Sequence, residues 1–325
     1  MRVLITGGAG FIGSHLAERL AGRGDRVTLL DNLSTGSLEN IEHLLGSGQV
    51  DFSLGNVQDR DAVEKLVEEA DFVVHLAAAL GVKLILEKPV ECIETNVTGT
   101  HIVLEAAARS RTPVLIASTS EVYGKSNKIP FCEDDDVVLG PTRKSRWSYA
   151  ASKMLDECLA LSYWEEKHLP TIVARFFNTV GPRQNTRYGM VLPTFVQQAL
   201  DELPITIHGD GRQSRCFCDV LDTVEAVTNL IDAEPFGEVV NIGSTHEVSI
   251  EDLARLVRQR VGSDSRILYT PYDEAYSRGY EDMQRRVPSV EKLHRLTGFR
   301  PKITLPEIID RTAAHLRSAM SEVAA

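Results

Sequence analysis

Long apolar runs are missing from this sequence, and nothing in it reaches the roughly twenty residues that a membrane-crossing helix needs. The first residues also lack a charged segment followed by a leader-like apolar stretch, since Met1 runs straight into the strand-like Arg2 to Thr6. A cytoplasmic location and no membrane partner are therefore expected. An excess of basic residues is missing too. Lys and Arg number 35 against 46 Asp and Glu, a net charge of −11, which argues against a surface built for nucleic acid or anionic lipid. A polyanionic ligand would need a local cluster of arginines. Cysteine is sparse and scattered: Cys92, Cys132, Cys158, Cys216 and Cys218. Only the last two are close, and alternation along a strand would send them to opposite faces. No pair has zinc-site spacing, so reduced thiols and no metal are expected. Internal repeats and low-complexity linkers are absent as well.

What is present is ordinary globular composition. The 325 residues are 43% hydrophobic and 25% charged, enough for one large domain or two smaller ones. The apolar run Val3-Leu4-Ile5 ends in Thr6-Gly7-Gly8-Ala9-Gly10-Phe11-Ile12-Gly13. A helical pattern follows at Ile12, Leu16 and Leu20, and the next strand, Val27 to Leu30, closes on Asp31. Strand, glycine turn, helix, strand and acid form the order of a dinucleotide site. Gly7 permits the tight turn, Gly10 lets backbone approach a pyrophosphate, and Gly13 lets helix and strand pack closely. Asp31 falls about twenty residues on, where an acid binds the adenosine ribose hydroxyls and repels a 2′-phosphate, favouring NAD over NADP.

The alternation continues. Val50 to Leu54 and Phe72 to Leu76 read as strands, with Ala62 to Glu69 helical between them and the small residues Ala77, Ala78 and Ala79 after the second. Asn96 to Ala108 reads as a long helix, Val114 to Ala117 as a buried strand ending at Ser118-Thr119-Ser120-Glu121, and Thr171 to Arg175 as another. The acidic run Glu133 to Asp136 reads as a solvated turn. Such alternation predicts an α/β fold with a doubly wound parallel sheet, whose ligands lie at the carboxyl ends of the strands. After about Gly181 the alternation weakens, until Val239 to Gly243 looks like a return to the sheet. The expected organisation is a Rossmann domain over 1–180, rejoined by about 217–245. A smaller interleaved C-terminal lobe over 181–216 and 246–325 carries substrate contacts.

Ser148 to Lys167 reads as a helix, on which Tyr149 and Lys153 share a face. A free phenol titrates near ~10. A fixed ammonium beside it favours the phenolate, which can then take a proton from a sugar hydroxyl as hydride leaves the same carbon. His75, at a strand end, reads as a packed histidine with no catalytic role.

Taken together, these motifs resemble the extended short-chain dehydrogenase/reductase superfamily, in its nucleotide-sugar epimerase, dehydratase and decarboxylase branch. The resemblance runs nearly end to end. It includes His75-Leu76-Ala77-Ala78, Asn96 to Thr100, Ser118 to Gly124, Tyr149 to Lys153, Arg175 to Asn178, Gly181-Pro182-Arg183, Gly209-Asp210-Gly211 and Asn241-Ile242-Gly243. It implies a retained NAD that oxidises C4 of a nucleoside-diphosphate sugar. NAD would lie against Gly7, Gly10, Phe11, Ile12, Gly13, Asp31, Asn32, Ser34, Thr35, Gly36, Asn56, Val57, Leu76, Ala77 and Ala78, with Tyr149 and Lys153. Asn56 departs from the usual aspartate that meets the adenine, though its carbonyl still accepts a hydrogen bond.

Three stretches are similar to UDP-glucuronate decarboxylases: Thr119-Ser120-Glu121, Gly140 to Trp147, and Gly279 to Pro288. By that resemblance Thr119 hydrogen-bonds the 4-oxygen, Glu121 lies near the substrate carboxylate, and Ser120 and Arg286 hold or relay protons beside C5. Asn178, Arg183, Arg215, Arg278 and Arg286 are candidate contacts to the substrate's diphosphate, sugar or carboxylate. Glu121 paired structurally with Arg286 is the competing reading of those two residues. The expected activity is decarboxylation of UDP-glucuronate through a 4-keto intermediate, giving UDP-xylose or a released UDP-4-keto-pentose. The alternatives are a UDP-glucose or UDP-glucuronate 4-epimerase and a non-catalytic NAD-bound scaffold. The resemblance also implies a homodimer, through the helices near Asn96–Ala108 and Tyr149–Lys167.

Overall fold

A computed structural model describes residues 1–79, 81, 87–185, 190–275 and 283–324. Six strands alternate with helices through the first half of the chain: β1 (Arg2–Thr6), β2 (Arg26–Asp31), β3 (Val50–Leu54), β4 (Phe72–His75), β5 (Val114–Thr119) and β6 (Thr171–Phe176). Five short strands follow, β7 (Thr179–Val180), β8 (Ile205–His208), β9 (Ser214–Cys216), β10 (Cys218–Asp219) and β11 (Val239–Ile242), and then β12 (Glu247–Ser249) and β13 (Ile267–Thr270). β11 joins the first six in a seven-stranded sheet of order β11-β6-β5-β4-β1-β2-β3, in which every pairing is parallel. Ile5 of β1 lies between Leu29 of β2 and Val74 of β4. The chain steps outward from β1 to β3 and then returns to β4 on the other side. That reversal opens a crevice above the carboxyl ends of β1 and β4.

The inner strands are mainly apolar because both sheet faces are covered there. On one face, the helix α1 (Phe11–Gly22) packs with the helix Val220–Ala233 over a core that includes Leu16, Leu20, Val224 and Leu230. Leu293 and Phe299, late in the chain, belong to this same core. On the other face lie α2 (Arg60–Glu68), α3 (Pro89–Ser110) and α4 (Arg146–Lys167), whose core includes Val63, Val103 and Ala160. α3 starts seven residues before the expected Asn96, with Pro89 in its first turn, a position where a missing N–H costs nothing.

A third core holds three further helices, Val191–Leu200, Ile250–Val261 and Leu305–Ala324, with the parallel pair β8 and β13. Ser249 caps the second of these by accepting from the Asp252 amide at 3.0 Å, as its spacing predicts.

The acidic run is a correction. Glu133 is buried, not solvated: its Oε1 accepts from the Asn241 amide at 2.9 Å, and its carbonyl accepts from Arg175 at 2.9 Å. Asp135 accepts from the Cys132 amide at 2.7 Å. The run's first carboxylate ties a loop to β11 and β6, a long-range contact that local charge patterning does not reveal.

Candidate active site

A cleft of ≈ 880 Å³ lies above the strand ends and runs from the glycine turn to the third core. Its near end is the turn after β1. Gly7 sits at φ +71, where a side chain is strained, and a Cβ there would lie 2.8 Å from the Ala77 amide nitrogen. A Cβ on Gly13 would lie 2.2 Å from the Gly7 carbonyl oxygen, so only glycine lets α1 come this close to the turn. Gly10 caps α1 without a side-chain hydrogen bond, and the first turn carries no acid. The helix N-terminus therefore keeps its positive end for an anion. Asp31 accepts from the amides of Ala9 at 3.0 Å and Leu33 at 2.8 Å. Burial pushes its carboxyl above the usual carboxylate range, and those amides work against the rise.

Gly7, Gly10, Phe11, Ile12, Gly13, Asp31, Asn32, Ser34, Thr35, Asn56, Val57, Leu76, Ala77 and Ala78 all line this end of the cleft. Gly36 lies behind the lining, where a Cβ would meet the Ala9 carbonyl at 2.8 Å. Asn56 uses its carbonyl oxygen to accept from the Gln58 amide at 3.0 Å. A cradle closed to any Cβ, a bare helix N-terminus and an acid at the end of β2 fit a dinucleotide.

Deeper in, Thr119, Ser120, Glu121, Arg146, Tyr149, Lys153 and Arg286 all line the cleft. Helical spacing puts Tyr149 and Lys153 on one face of α4. Lys153 is nonetheless engaged: its Nζ donates to Asp156 Oδ2 at 2.7 Å, with side-chain exposures of 3% and 0%. Burial drives the Tyr149 phenol above its ordinary value, the charges of Glu121 and Asp156 add to that, and a hydrogen bond with Thr119 opposes it. Burial here outweighs the lowering expected of Lys153, whose ammonium is engaged by Asp156.

Behind the pair, His75 Nδ1 lies 2.7 Å from Thr6 Oγ1 and its Nε2 lies 3.1 Å from Thr100 Oγ1. Burial first, and then Lys153, push the ring down to about 3. It is the neutral, packed histidine that its position suggests.

Glu121 stands between two arginines. Arg146 Nη2 donates to both of its oxygens, at 3.1 and 3.0 Å, and Arg286 Nη1 reaches Oε1 at 2.7 Å. The ion pair with Arg286 that sequence reasoning weighed against a catalytic role is thus present, and it faces the cleft. Arg146 was not singled out from sequence; its place three residues before Tyr149, on the same helical face, was the available signal. Asn96 was missed as well. Midway along α3 and fully buried, it accepts from the Ala79 amide at 2.8 Å and donates to Ser152 Oγ at 3.1 Å. It thereby ties the end of β4 to α4.

Asn178 and Arg215 line the far part of the cleft. Asn178, at φ +30, donates to the Cys216 carbonyl at 2.9 Å, and Arg215 donates to the Ser214 carbonyl at 2.7 Å. Arg183 lies apart from them, donating to Glu18 of α1 at 2.9 Å. Arg278 falls outside the described residues. No group of residues able to hold a metal is found among the described residues.

A family model described as GDP-mannose 4,6 dehydratase matches residues 4–312. The chain is 43% identical, over 97% of its length and 98% of the relative's, to a UDP-N-acetyl-alpha-D-glucosaminuronate decarboxylase from Bacillus cytotoxicus. It is 36% identical to UDP-glucuronic acid decarboxylase 1 of Xenopus tropicalis, over 99% of this chain and 74% of that one. Among solved structures it is similar to a UDP-glucuronic acid 4-epimerase from Bacillus cereus in complex with UDP-glucuronic acid and NAD. There the TM-score is 0.89 at 26% identity, covering 98% of this chain and all of that one.

Proposed function

The chain belongs to the GDP-mannose 4,6 dehydratase family, within the extended short-chain dehydrogenases, and we propose that it decarboxylates a UDP-hexuronate with NAD as a retained cofactor. UDP-glucuronate is the substrate assigned here, with UDP-xylose or the UDP-4-keto-pentose as product. Bound NAD supplies a hydride acceptor and, once reduced, a donor. The rest falls to the chain's own side chains. Tyr149 takes the C4 hydroxyl proton and Thr119 hydrogen-bonds the same oxygen. The resulting 4-keto uronate is a β-keto acid, so its C5–C6 bond breaks without strong acid catalysis. Glu121 holds negative charge near the substrate carboxylate and disfavours the ionised ground state. Ser120 and Arg286 carry the proton that C5 needs once CO2 has left. Asn178, Arg215 and Arg286 suit the diphosphate and the sugar, since guanidinium forks match phosphate oxygens.

The observation that carries this reading is the Glu121, Arg146 and Arg286 cluster beside Tyr149: its two guanidiniums exceed its one carboxylate by a charge that can hold a C6 carboxylate, while Glu121 crowds that carboxylate with like charge. Similarity to two uronate decarboxylases supports it. Since the 43% identical relative is named for a 2-acetamido uronate, UDP-glucuronate and its 2-acetamido analogue belong in one assay. Likeness to the solved 4-epimerase keeps epimerisation as the second reading. Incubation with each UDP-uronate and mass spectrometry separates the two: loss of the mass of CO2 supports the lyase, and unchanged mass with altered sugar-ring couplings supports the epimerase.

Residues 181–216 and 246–325 are assigned mainly to substrate binding, with the dinucleotide held by 1–180 and about 217–245. The chain is assigned to the cytoplasm, in keeping with five free thiols and no helix among the described residues long and apolar enough to cross a membrane. A homodimer through α3 and α4 is supported by the exposed apolar side chains Val90, Ile93 and Leu155 on those helices. A light-scattering mass of one chain would sink the dimer.

A further inference from the structure

Within the active-site helix, Asp156 has no part in the chemistry assigned above, yet its carboxylate is entirely buried. It lies three residues beyond Lys153 and seven beyond Tyr149, so the three side chains follow one another along one face of α4. Lys153 Nζ donates to its Oδ2 at 2.7 Å, and the Thr100 side chain of α3 is a second, weaker hydrogen-bonding partner of the carboxylate. An aspartate desolvated to this degree is costly unless a charge partner holds it. Here that partner is the ammonium of Lys153, which lines the same cleft as the phenol.

We propose that Asp156 is a positioning residue for the proposed reaction: it fixes the Lys153 ammonium in a closed ion pair, so that the net charge this pair presents to the Tyr149 phenol is close to nil. A positive charge brought into the cleft, as the oxidised pyridine ring of bound NAD would supply, would then decide when the phenol ionises. The other charged or titratable groups facing the site favour this reading. Glu121, after β5, repels the phenolate, and its own charge is met by Arg146 and Arg286. Cys92 on α3 adds a smaller effect of the same sign. His75 on β4 is neutral, and Glu157, beside Asp156, is matched by Arg175 at 2.7 Å. Arg146 and Arg286 together exceed the charge of Glu121 by one, but both are bound to its carboxylate, and it is Glu121 that raises the phenol.

This inference rests on the functional reading above, and its test has a readout independent of turnover. The full chain, purified with its dinucleotide, carries 3,5-difluorotyrosine at position 149, and the 19F resonance is followed against pH. In Asp156→Asn the ring should ionise at least about one pH unit lower than in the wild type, as expected for an ammonium freed of its counter-charge. Asp156→Ser should move it the same way, so the comparison survives if one variant fails to fold. An unchanged or higher transition in a folded variant overturns the proposal, since Asp156 would then serve packing or merely keep Lys153 protonated. The acid limb of the turnover profile should follow the resonance, with about a tenfold gain in relative rate per pH unit below it. Absence of turnover with either UDP-uronate in the wild type would overturn the functional reading while leaving the 19F comparison intact.

Discussion

On the proposed reading, three side chains decide whether the cleft does chemistry: Tyr149, Lys153 and Glu121. Tyr149→Phe keeps the ring and removes the base. Turnover should fall about a hundred- to ten-thousand-fold, the usual worth of a positioned acid or base, while the dinucleotide remains bound. Steady-state rates beside the absorbance of bound dinucleotide check both halves, and full activity would refute the assignment. Glu121→Ser should slow CO2 loss more than C4 oxidation, so that single-turnover experiments find the 4-keto uronate accumulating. The same change leaves Arg146 and Arg286 facing each other without their carboxylate, at a cost of about 3 kcal/mol in a denaturant titration. An unchanged rate of CO2 release would leave Glu121 with the structural role alone. The tyrosine and lysine were legible because four residues on a helix make neighbours whatever the fold does. Asp156 and Arg146 were not, because an acid or a guanidinium on a helix is ordinarily solvated, and only the packing of α4 on the sheet buries these two.

The glycine turn and α1 are the element on which dinucleotide binding depends. Gly13→Ala would place a methyl group 2.2 Å from the Gly7 carbonyl oxygen. The helix would have to back away, costing about 1–3 kcal/mol of stability as overpacking does and weakening dinucleotide affinity with it. Thermal denaturation with and without added NAD reads the two effects, and a variant matching the wild type in both would refute the close approach. This element was the most legible part of the chain. Turn, helix cap and helix–strand contact each demand glycine for a local reason, and Asp31 closes the unit within about thirty residues. The loop from Phe131 to Asp136 was the least legible. Glu133 finds its partners at Asn241 and Arg175, separated from it by 108 and 42 residues. Nothing in four successive acids signals that the first of them is internal.

At the scale of the whole molecule, histidines held neutral by burial contribute to the acid limit, His75 and His15 among them. His75 is pushed down to about 3 and His15 to about 4, against an ordinary 6.5. The unfolded chain takes up these protons as pH falls below 6.5 and the folded chain does not, so stability declines from there toward about pH 4. By pH 5 each should have removed about 1–2 kcal/mol. Asp31 and Asp156, whose carboxyls are shifted upward, pull the other way, so the histidine share is read as a difference. Urea midpoints against pH should fall less steeply in His75→Gln than in the wild type, and parallel curves would contradict the neutral ring. The parallel sheet was legible at this scale because apolar strands between amphipathic helices admit few other arrangements. The return of Leu293 and Phe299 to the first core was not, because nothing local distinguishes them from residues of the third. The most direct test of the whole account follows one carbon atom: UDP-glucuronate labelled with 13C at C6, incubated with the full chain and observed by NMR. The account predicts labelled bicarbonate from the wild type and, over the same time, at least about a hundredfold less from Tyr149→Phe. Label retained in a UDP-hexuronate that the wild type has nevertheless altered at C4 would contradict it.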